Sequence, residues 1–208
     1  MAKLTNHVIS GCRTQSVILD AYWPDKGGRL PTVIFSHGYK GYKDWGAWPG
    51  VAQKFSAAGF LFIAFNFSYN GGTVDQPIDF PDLESFGQNN YSTELGDLRC
   101  VVDFAVESGV LPERNGEVCL IGHSRGGGIA LLAAEADERI RKLATWAGVS
   151  DFKKRFPQGE ELELWRQQGV NHVRNGRTHQ DMPHYFQFYE DFVAHEAELD
   201  IQAAAKRI

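Results

Sequence analysis

Short apolar runs and amphipathic segments alternate along the first 151 residues of the chain. A continuous apolar run bounded by turn residues is typical of a strand that is covered on both faces of its sheet. The runs that predict such strands cover residues 32–35, 60–67, 118–121 and 143–149. Two β-rich runs precede them, at 7–10 and 16–23, and their close spacing predicts an antiparallel hairpin.

Helical periodicity occupies the intervals between these predicted strands. Helices are predicted over residues 49–58, 93–108 and 129–136, with Ser92 as the N-cap of the second. The alternation of strands and helices predicts an α/β fold whose mostly parallel central sheet has helices on both faces. Two loops interrupt the alternation of strands and helices, a turn-rich one over 24–31 and a long polar one over 68–90. A loop of the second length is uncommon in a compact domain unless it has a function.

The pattern changes after residue 151, where no further strand is predicted. Helices are predicted over 160–168 and 181–199, and 201–208 is typical of the first turns of another helix. An aromatic stripe on the second helix is formed by Tyr185, Phe188, Tyr189 and Phe192. Such a stripe usually packs on a core, and a lid over an acyl group is the functional alternative. We therefore predict a core over 1–151 and a helical, cap-like segment over 152–208 that leads into the next core helix.

Composition narrows the class of protein. The chain has 208 residues, of which 43% are hydrophobic, as expected for one globular domain. A net charge of −5 without a basic stripe argues against a nucleic-acid partner. No apolar run is long enough for a membrane span, and no signal peptide is recognisable. Three scattered cysteines fit a reducing, cytoplasmic location, and no Cys/His cluster has the spacing of metal ligands.

Candidate chemistry is concentrated in the pentapeptide Gly122-His123-Ser124-Arg125-Gly126. It lies between a predicted strand and a predicted helix, which is the context of a nucleophile elbow. Glycines on either side of Ser124 leave room for a strained turn that holds the hydroxyl clear of the sheet. A glycine-rich turn with an incidental serine is the structural alternative.

These motifs together resemble those of α/β-hydrolases, and among them the dienelactone-hydrolase-like and serine-esterase branch. The resemblance covers about residues 16–151 and rests on VIFSHGYKG at the third strand and GHSRGG at the fifth. It implies that Ser124 is the nucleophile and that the backbone N–H groups of Tyr39 and Arg125 form the oxyanion hole. It also implies a small-molecule acyl substrate and no cofactor, and it places a cap over 152–200. His37 is then expected to hold the oxyanion loop by hydrogen bonding.

The resemblance leaves the catalytic base and acid without matching positions. In the family the acid normally follows the seventh strand and the histidine the eighth, whereas only six strands are predicted here. Asp151 at the end of the sixth strand is a candidate acid, with the N-cap of the next helix as its structural alternative. The histidines that follow Ser124 all lie in the cap-like segment, where packing or solvation is expected: His172, His179, His184 and His195.

Two explanations stay open for the lack of a matching catalytic base and acid. We expect the chain to be the N-terminal part of a longer hydrolase, and the alternative is a complete, non-catalytic binding protein. The predicted function is a serine hydrolase that cleaves an ester through an acyl-enzyme on Ser124. A thioesterase and a small peptidase of the same fold are its rivals. Lys40 and Lys43 flank the mouth of the site, where they could attract an anionic substrate or simply be solvated.

Overall fold

The computed structural model describes residues 1–25 and 27–208, so that Lys26 in the predicted loop over 24–31 lies outside the described residues. The strands are β1 (Ala2–Ser10), β2 (Ser16–Trp23), β3 (Leu30–Ser36), β4 (Leu61–Asn66), β5 (Arg114–His123), β6 (Ile140–Trp146), β7 (Val170–Arg174) and β8 (Asp181–Tyr185). The α-helices are α1 (Trp48–Ala57), α2 (Leu83–Gly87), α3 (Tyr91–Glu107), α4 (Arg125–Ala136), α5 (Glu160–Gln168), α6 (Gln187–Ala194) and α7 (Ile201–Ala204). A short 3₁₀ helix covers Lys153–Arg155.

A six-stranded sheet forms the centre of the molecule, in the order β1-β2-β4-β3-β5-β6. The predicted hairpin of β1 and β2 is antiparallel and joins β4 in the antiparallel sense. From β4 to β6 all neighbouring strands are parallel. The predicted α/β architecture is therefore confirmed, and the carboxyl ends of β3 and β5 lie side by side at one edge of the sheet.

Both faces of the sheet are apolar and covered by helices. In β3, Ile34 belongs to the larger core cluster, which includes residues of α3, α4 and α6. Its neighbours Val33 and Phe35 belong to the cluster on the opposite face, which α1 covers. This alternation follows from the two-residue period of a strand, and it explains why the run is apolar at every position.

Several predicted element boundaries differ in the structure, where β1 begins at Ala2 and not at 7, and α4 begins at Arg125 and not at 129. Helix α3 is capped by Asn90, whose side chain accepts from Thr93 N–H at 2.9 Å, and not by Ser92. Strand β6 ends at Trp146 because the chain then turns so that Val149 N–H can donate to Ser124 O. The predicted loop over 68–90 contains α2, which Asp82 caps. Among residues 1–25 and 27–208, no helix has both the length and the apolar character that crossing a bilayer requires.

The segment after β6 contains a strand pair that the sequence analysis missed. Strands β7 and β8 form an antiparallel hairpin, in which Val170 pairs with Tyr185 and Val173 with Met182. The predicted helix over 181–199 is therefore wrong in its first part, and α6 begins only at Gln187. Pro183 explains the difference, because proline is strongly unfavourable inside a helix. Helix α5 is confirmed, as is packing on the core for Phe188 and Phe192 of the aromatic stripe.

Candidate active site

Ser124 lies on the turn between β5 and α4 in a backbone conformation that side-chain-bearing residues rarely adopt. Its φ is 54° and its ψ is −117°. Hydrogen bonds fix this turn on both sides, since Ser124 N–H donates to Trp146 O and Ser124 O accepts from Gly127 N–H and Val149 N–H. A strained residue held in this way by its surroundings indicates a functional turn. The geometry is that of the nucleophile elbow that the sequence predicts.

The glycines around the elbow are required by close backbone contacts. A Cβ on Gly122 would lie 2.3 Å from Gly126 O, and a Cβ on Gly126 would lie 2.3 Å from His37 O. The loop after β3 also approaches the serine, because a Cβ on Gly38 would lie 2.9 Å from Ser124 Cβ. Glycine is thus the residue that lets β5, α4 and this loop meet at Ser124.

Two backbone donors beside the serine are free. Within residues 1–25 and 27–208, neither Tyr39 N–H nor Arg125 N–H donates to another backbone group. The Tyr39 loop is held from below by His37, whose Nδ1–H donates to Gly38 O at 2.9 Å and whose Nε2 accepts from Phe67 N–H at 3.4 Å. Burial lowers the pKa of His37 to about 4, so the ring is neutral and can make both bonds. The structural role expected of His37 is confirmed.

The Arg125 side chain lies between aromatic rings and is 13% exposed. Its guanidinium lies 4.5 Å from the centre of the Tyr39 ring, 5.2 Å from Tyr91 and 5.3 Å from Phe188. Its Nη1 donates to Glu94 Oε1 at 3.2 Å. Burial is the largest influence and disfavours the charged guanidinium, but Glu94, Tyr91 and Tyr39 together outweigh it, so that the pKa of Arg125 is raised. The two residues whose backbone N–H groups are free are therefore also joined through their side chains.

Ser124 borders two cavities. The larger one, of about 310 Å³, has aromatic walls that include Tyr91, Phe152 and Trp165. The smaller one, of about 230 Å³, lies towards Trp48 and His123. Tyr39 lines both cavities, as Ser124 does. A group bound to the serine would thus have room on both sides of the reacting atom.

The β7–β8 hairpin closes one side of the larger cavity through His184. The His184 ring shares a hydrogen bond of 2.7 Å with the Tyr39 hydroxyl, and its backbone carbonyl accepts from Trp165 Nε1–H at 2.8 Å. Burial, with the positive charges of Arg125 and Lys40, lowers the pKa of His184 to about 3. A histidine with so low a pKa is a weak base, and it bonds to Tyr39.

The structure does not bring every predicted residue to Ser124. Asp151 accepts from Lys154 N–H at 3.2 Å and lines a different cavity, as the helix-capping alternative expects. Lys43 is buried beside Asp20, at 2.9 Å, and Asp44, so both expectations for it, attraction of a substrate at the mouth and solvation, are wrong. Lys40 is near the mouth, where its Nζ lies 5.0 Å from the centre of the Tyr39 ring.

No base is assembled beside the serine in the part of the chain that the structure describes. There, no side chain hydrogen-bonds to Ser124 Oγ, and His37, His184 and His195 each bond to other atoms. The same described residues contain no group of three or more His, Cys, Asp or Glu side chains placed to bind a metal ion.

The partners of Arg125 are not among the predicted site residues, although the sequence contains one signal for them. Glu94 lies four residues before Leu98, on the apolar side of α3, and is 3% exposed. An acid on the buried face of a helix needs a partner of opposite charge or a hydrogen-bond donor. Glu94 has both, because Asn89 Nδ2–H also donates to its Oε1 at 2.7 Å. His184 gave no comparable signal, since its contact with Tyr39 depends on the missed hairpin.

An elbow at the carboxyl edge of a parallel sheet, beside a loop with a free backbone donor, defines a protein of hydrolase fold. A family model described as the alpha/beta hydrolase fold matches residues 31–178. The chain belongs to this family.

Known proteins of several kinds are similar to the chain. It is 29% identical to a monoacylglycerol lipase of Mycolicibacterium smegmatis over 126 residues, which are 60% of this chain and 39% of the lipase. The chain thus spans well under half of the length of that relative. A proposed hydrolase from Agrobacterium vitis has a TM-score of 0.70 at 18% identity and covers 93% of this chain and 72% of its own. A dienelactone hydrolase from Anabaena variabilis has a TM-score of 0.56 at 17% identity, over 71% of this chain and 63% of its own. These structural likenesses show the fold.

Proposed function

We propose that the protein is a serine hydrolase that cleaves an ester-type acyl substrate. Ser124 Oγ attacks the carbonyl carbon, the bond to the alcohol breaks, and water then releases the acyl group from the serine. The hydroxyl proton passes to a general base, which returns it to the departing alcohol oxygen. We assign this base to none of the described residues. The observation that carries the proposal is the strained Ser124, with φ of 54°, beside two free backbone donors.

The backbone N–H groups of Tyr39 and Arg125 are proposed to bind the oxyanion. Such donors need no rearrangement as charge develops, and losing one typically costs about 10²–10³ in turnover. The stacking of the Arg125 guanidinium on the Tyr39 ring supports this assignment, because it ties together the two segments that carry the donors. We also propose that 152–208 acts as a cap on the core over 1–151, with His184 and Phe188 in the cavity wall.

Ester hydrolysis is favoured over its rivals by two observations. The two cavities that meet at Ser124 provide space for the two halves of an ester. A relative is named monoacylglycerol lipase, and such an enzyme cleaves an ester. A thioesterase and a small peptidase share the acyl-transfer chemistry and stay as alternatives. A non-catalytic binding protein is the second candidate function, favoured by the lack of a histidine bonded to Ser124 Oγ in the described part of the chain.

Labelling with a fluorophosphonate probe tests the proposal. Intact and peptide mass spectrometry should find the probe on Ser124 of the 208-residue chain, and Ser124→Ala should abolish the label. We expect slow labelling, because a serine hydroxyl without an oriented base is a weak nucleophile. Brisk labelling would reveal a base that we have not assigned.

A matched control is Ser150→Ala, which removes an exposed serine just after β6 and should leave labelling unchanged. A label that persists in Ser124→Ala would refute the assignment. Absence of any label on Ser124 after prolonged incubation would favour the non-catalytic binding protein.

A further inference from the structure

The larger cavity beside Ser124 combines aromatic walls with positive charge. Tyr91 stacks on Phe152 with ring centres 3.9 Å apart, and Phe156 and Phe188 extend the same wall. Two arginines, Arg125 and Arg155, also line the cavity, while no acidic side chain of residues 1–25 and 27–208 does. The wall therefore suits a flat apolar group, but such a group does not account for the two arginines.

The two arginines differ in whether their charge is compensated. Arg125 is paired with Glu94, so its charge is balanced within the protein. Arg155 has no ion pair and no side-chain hydrogen bond within the described ranges, 1–25 and 27–208. Its two neighbours in the 3₁₀ helix each form an ion pair, Lys153 with Glu196 at 2.7 Å and Lys154 with Asp151 at 3.6 Å. Of three consecutive basic residues, the unpaired one is thus the one that lines the cavity.

The positive charge of Arg155 affects the Tyr91 hydroxyl in the aromatic wall. Burial raises the pKa of the Tyr91 hydroxyl to about 12, and the charges of Arg125 and Arg155 act in the opposite direction. Arg155 is also held between Phe152 and Phe156, which are 2% and 8% exposed, so the backbone that carries it is anchored in the core. A ligand seated on the aromatic wall would meet an unpaired guanidinium at its outer end.

We infer that the larger cavity binds an aromatic group that carries a carboxylate, with the ring on the aromatic wall and the carboxylate paired with Arg155. The inference rests on the proposed function, because it makes this group one half of the ester that Ser124 cleaves. Planar guanidinium matches the two oxygens of a carboxylate, and aromatic walls suit a flat ring. Either the acyl half or the alcohol half of the ester can carry this chemistry.

The effect of the carboxylate should be moderate. Arg155 is exposed, and an exposed ion pair contributes up to about 1 kcal/mol, or about fivefold in affinity. The preference should weaken as salt is added, because solvent-exposed charges are screened within about 8 Å at physiological ionic strength.

Binding can be measured without turnover on the Ser124→Ala chain. Calorimetric titration would compare monomethyl terephthalate, whose free carboxylate lies on the acyl half of the ester, with its neutral analogue methyl 4-carbamoylbenzoate. A second pair, 4-acetoxybenzoate and 4-acetoxybenzamide, places the charge on the alcohol half. We expect the carboxylate of at least one pair to bind about fivefold more tightly than its amide, and Arg155→Gln to remove that difference by weakening the carboxylate more than the amide.

The matched control is Lys154→Gln, which removes the same charge from the neighbouring residue, whose side chain does not line the cavity. It should keep the preference for the carboxylate. Equal binding of carboxylate and amide in both pairs, or a preference that survives in Arg155→Gln, would overturn the inference. These outcomes leave the proposed function intact, since that function depends on fluorophosphonate labelling of Ser124 and not on which ligand binds.

Discussion

The two sides of Ser124 are built by different means. On the elbow side, the serine is fixed by backbone contacts among β3, β5 and α4, where glycines let main-chain atoms meet. On the cap side, the cavity wall includes side chains from α3 and from the segment after β6, which are far apart in the sequence. The elbow side depends on positions that carry no Cβ atom. The cap side depends on contacts between aromatic rings and on pairing of opposite charges.

This difference predicts how each side responds to substitution. An extra methyl group on the elbow side must displace a carbonyl oxygen, and packed backbone yields little. On the cap side, removal of one partner leaves the other buried without compensation, and the cost depends on the charge of the group that remains. Substitutions that separate these two kinds of cost test the comparison.

The largest effect is expected for Gly126→Ala on the elbow side. The new Cβ would lie 2.3 Å from His37 O and 2.5 Å from Ser36 O. We expect a loss of about 4 kcal/mol or more in the free energy of unfolding, measured by urea denaturation, because β3 or α4 must move. Fluorophosphonate labelling of Ser124 should also be lost.

A control for this prediction is Gly50→Ala in α1, where an added Cβ meets nothing within 4 Å. This variant should be neutral or more stable by up to about 1 kcal/mol, as alanine favours the helix. If Gly126→Ala were as well tolerated as Gly50→Ala, the elbow would not depend on close backbone contact.

On the cap side, Glu94→Gln should have the next largest effect. Glutamine keeps an acceptor for Asn89, but it leaves the guanidinium of Arg125 buried, with its side chain 13% exposed. Breaking one partner of a buried ion pair costs about 3 kcal/mol or more. Urea denaturation of Glu94→Gln should show that loss, and the double variant Glu94→Gln/Arg125→Met should recover much of it.

The comparison variant for the ion pair is Glu163→Gln, which breaks the exposed pair with Arg166 on α5. It should leave the free energy of unfolding almost unchanged, because both side chains of this pair are solvated at the surface. A small effect of Glu94→Gln, similar to that of Glu163→Gln, would mean that Arg125 is not held by Glu94.

The same division explains how much the sequence could predict. The elbow is encoded by adjacent residues, so GHSRGG between a strand and a helix was sufficient to predict the turn at Ser124, and the loop at Tyr39 followed from HGY. The central sheet was predictable because each strand is a continuous apolar run.

The cap side could not be derived in this way. The β7–β8 hairpin was missed because polar and exposed positions dominate β7, so no apolar alternation marks it as a strand. The contact between Tyr39 and His184 joins residues 145 positions apart, and no local pattern specifies it. The rings and the carboxylate around Arg125 come from the loop after β3, from α3 and from α6. In the sequence, only the position of Glu94 on the apolar side of α3 pointed to them.

The smallest of the three effects is expected from the pH dependence of the His184 contact. Its pKa is lowered from 6.5 to about 3, chiefly by burial, so the folded protein keeps the ring neutral while the unfolded chain binds a proton below pH 6.5. Stability from this group is therefore complete above pH 6.5 and is lost as the pH falls towards 3.

Between pH 7 and pH 5, protonation of His184 in the unfolded chain lowers the free energy of unfolding by at most about 2 kcal/mol. His184→Gln, which keeps a hydrogen-bond acceptor for Tyr39, should lose correspondingly less stability than the wild type over this interval in urea denaturation. His37 is buried and has a lowered pKa as well, but it is present in both proteins, so its contribution cancels in the difference. The control is His179→Asn in the exposed turn between β7 and β8, where asparagine tolerates the φ of 58°, and it should retain the wild-type dependence. Identical dependence in the wild type and His184→Gln would mean that the hairpin opens to water at His184, and the cavity wall would then be less fixed than the elbow it faces.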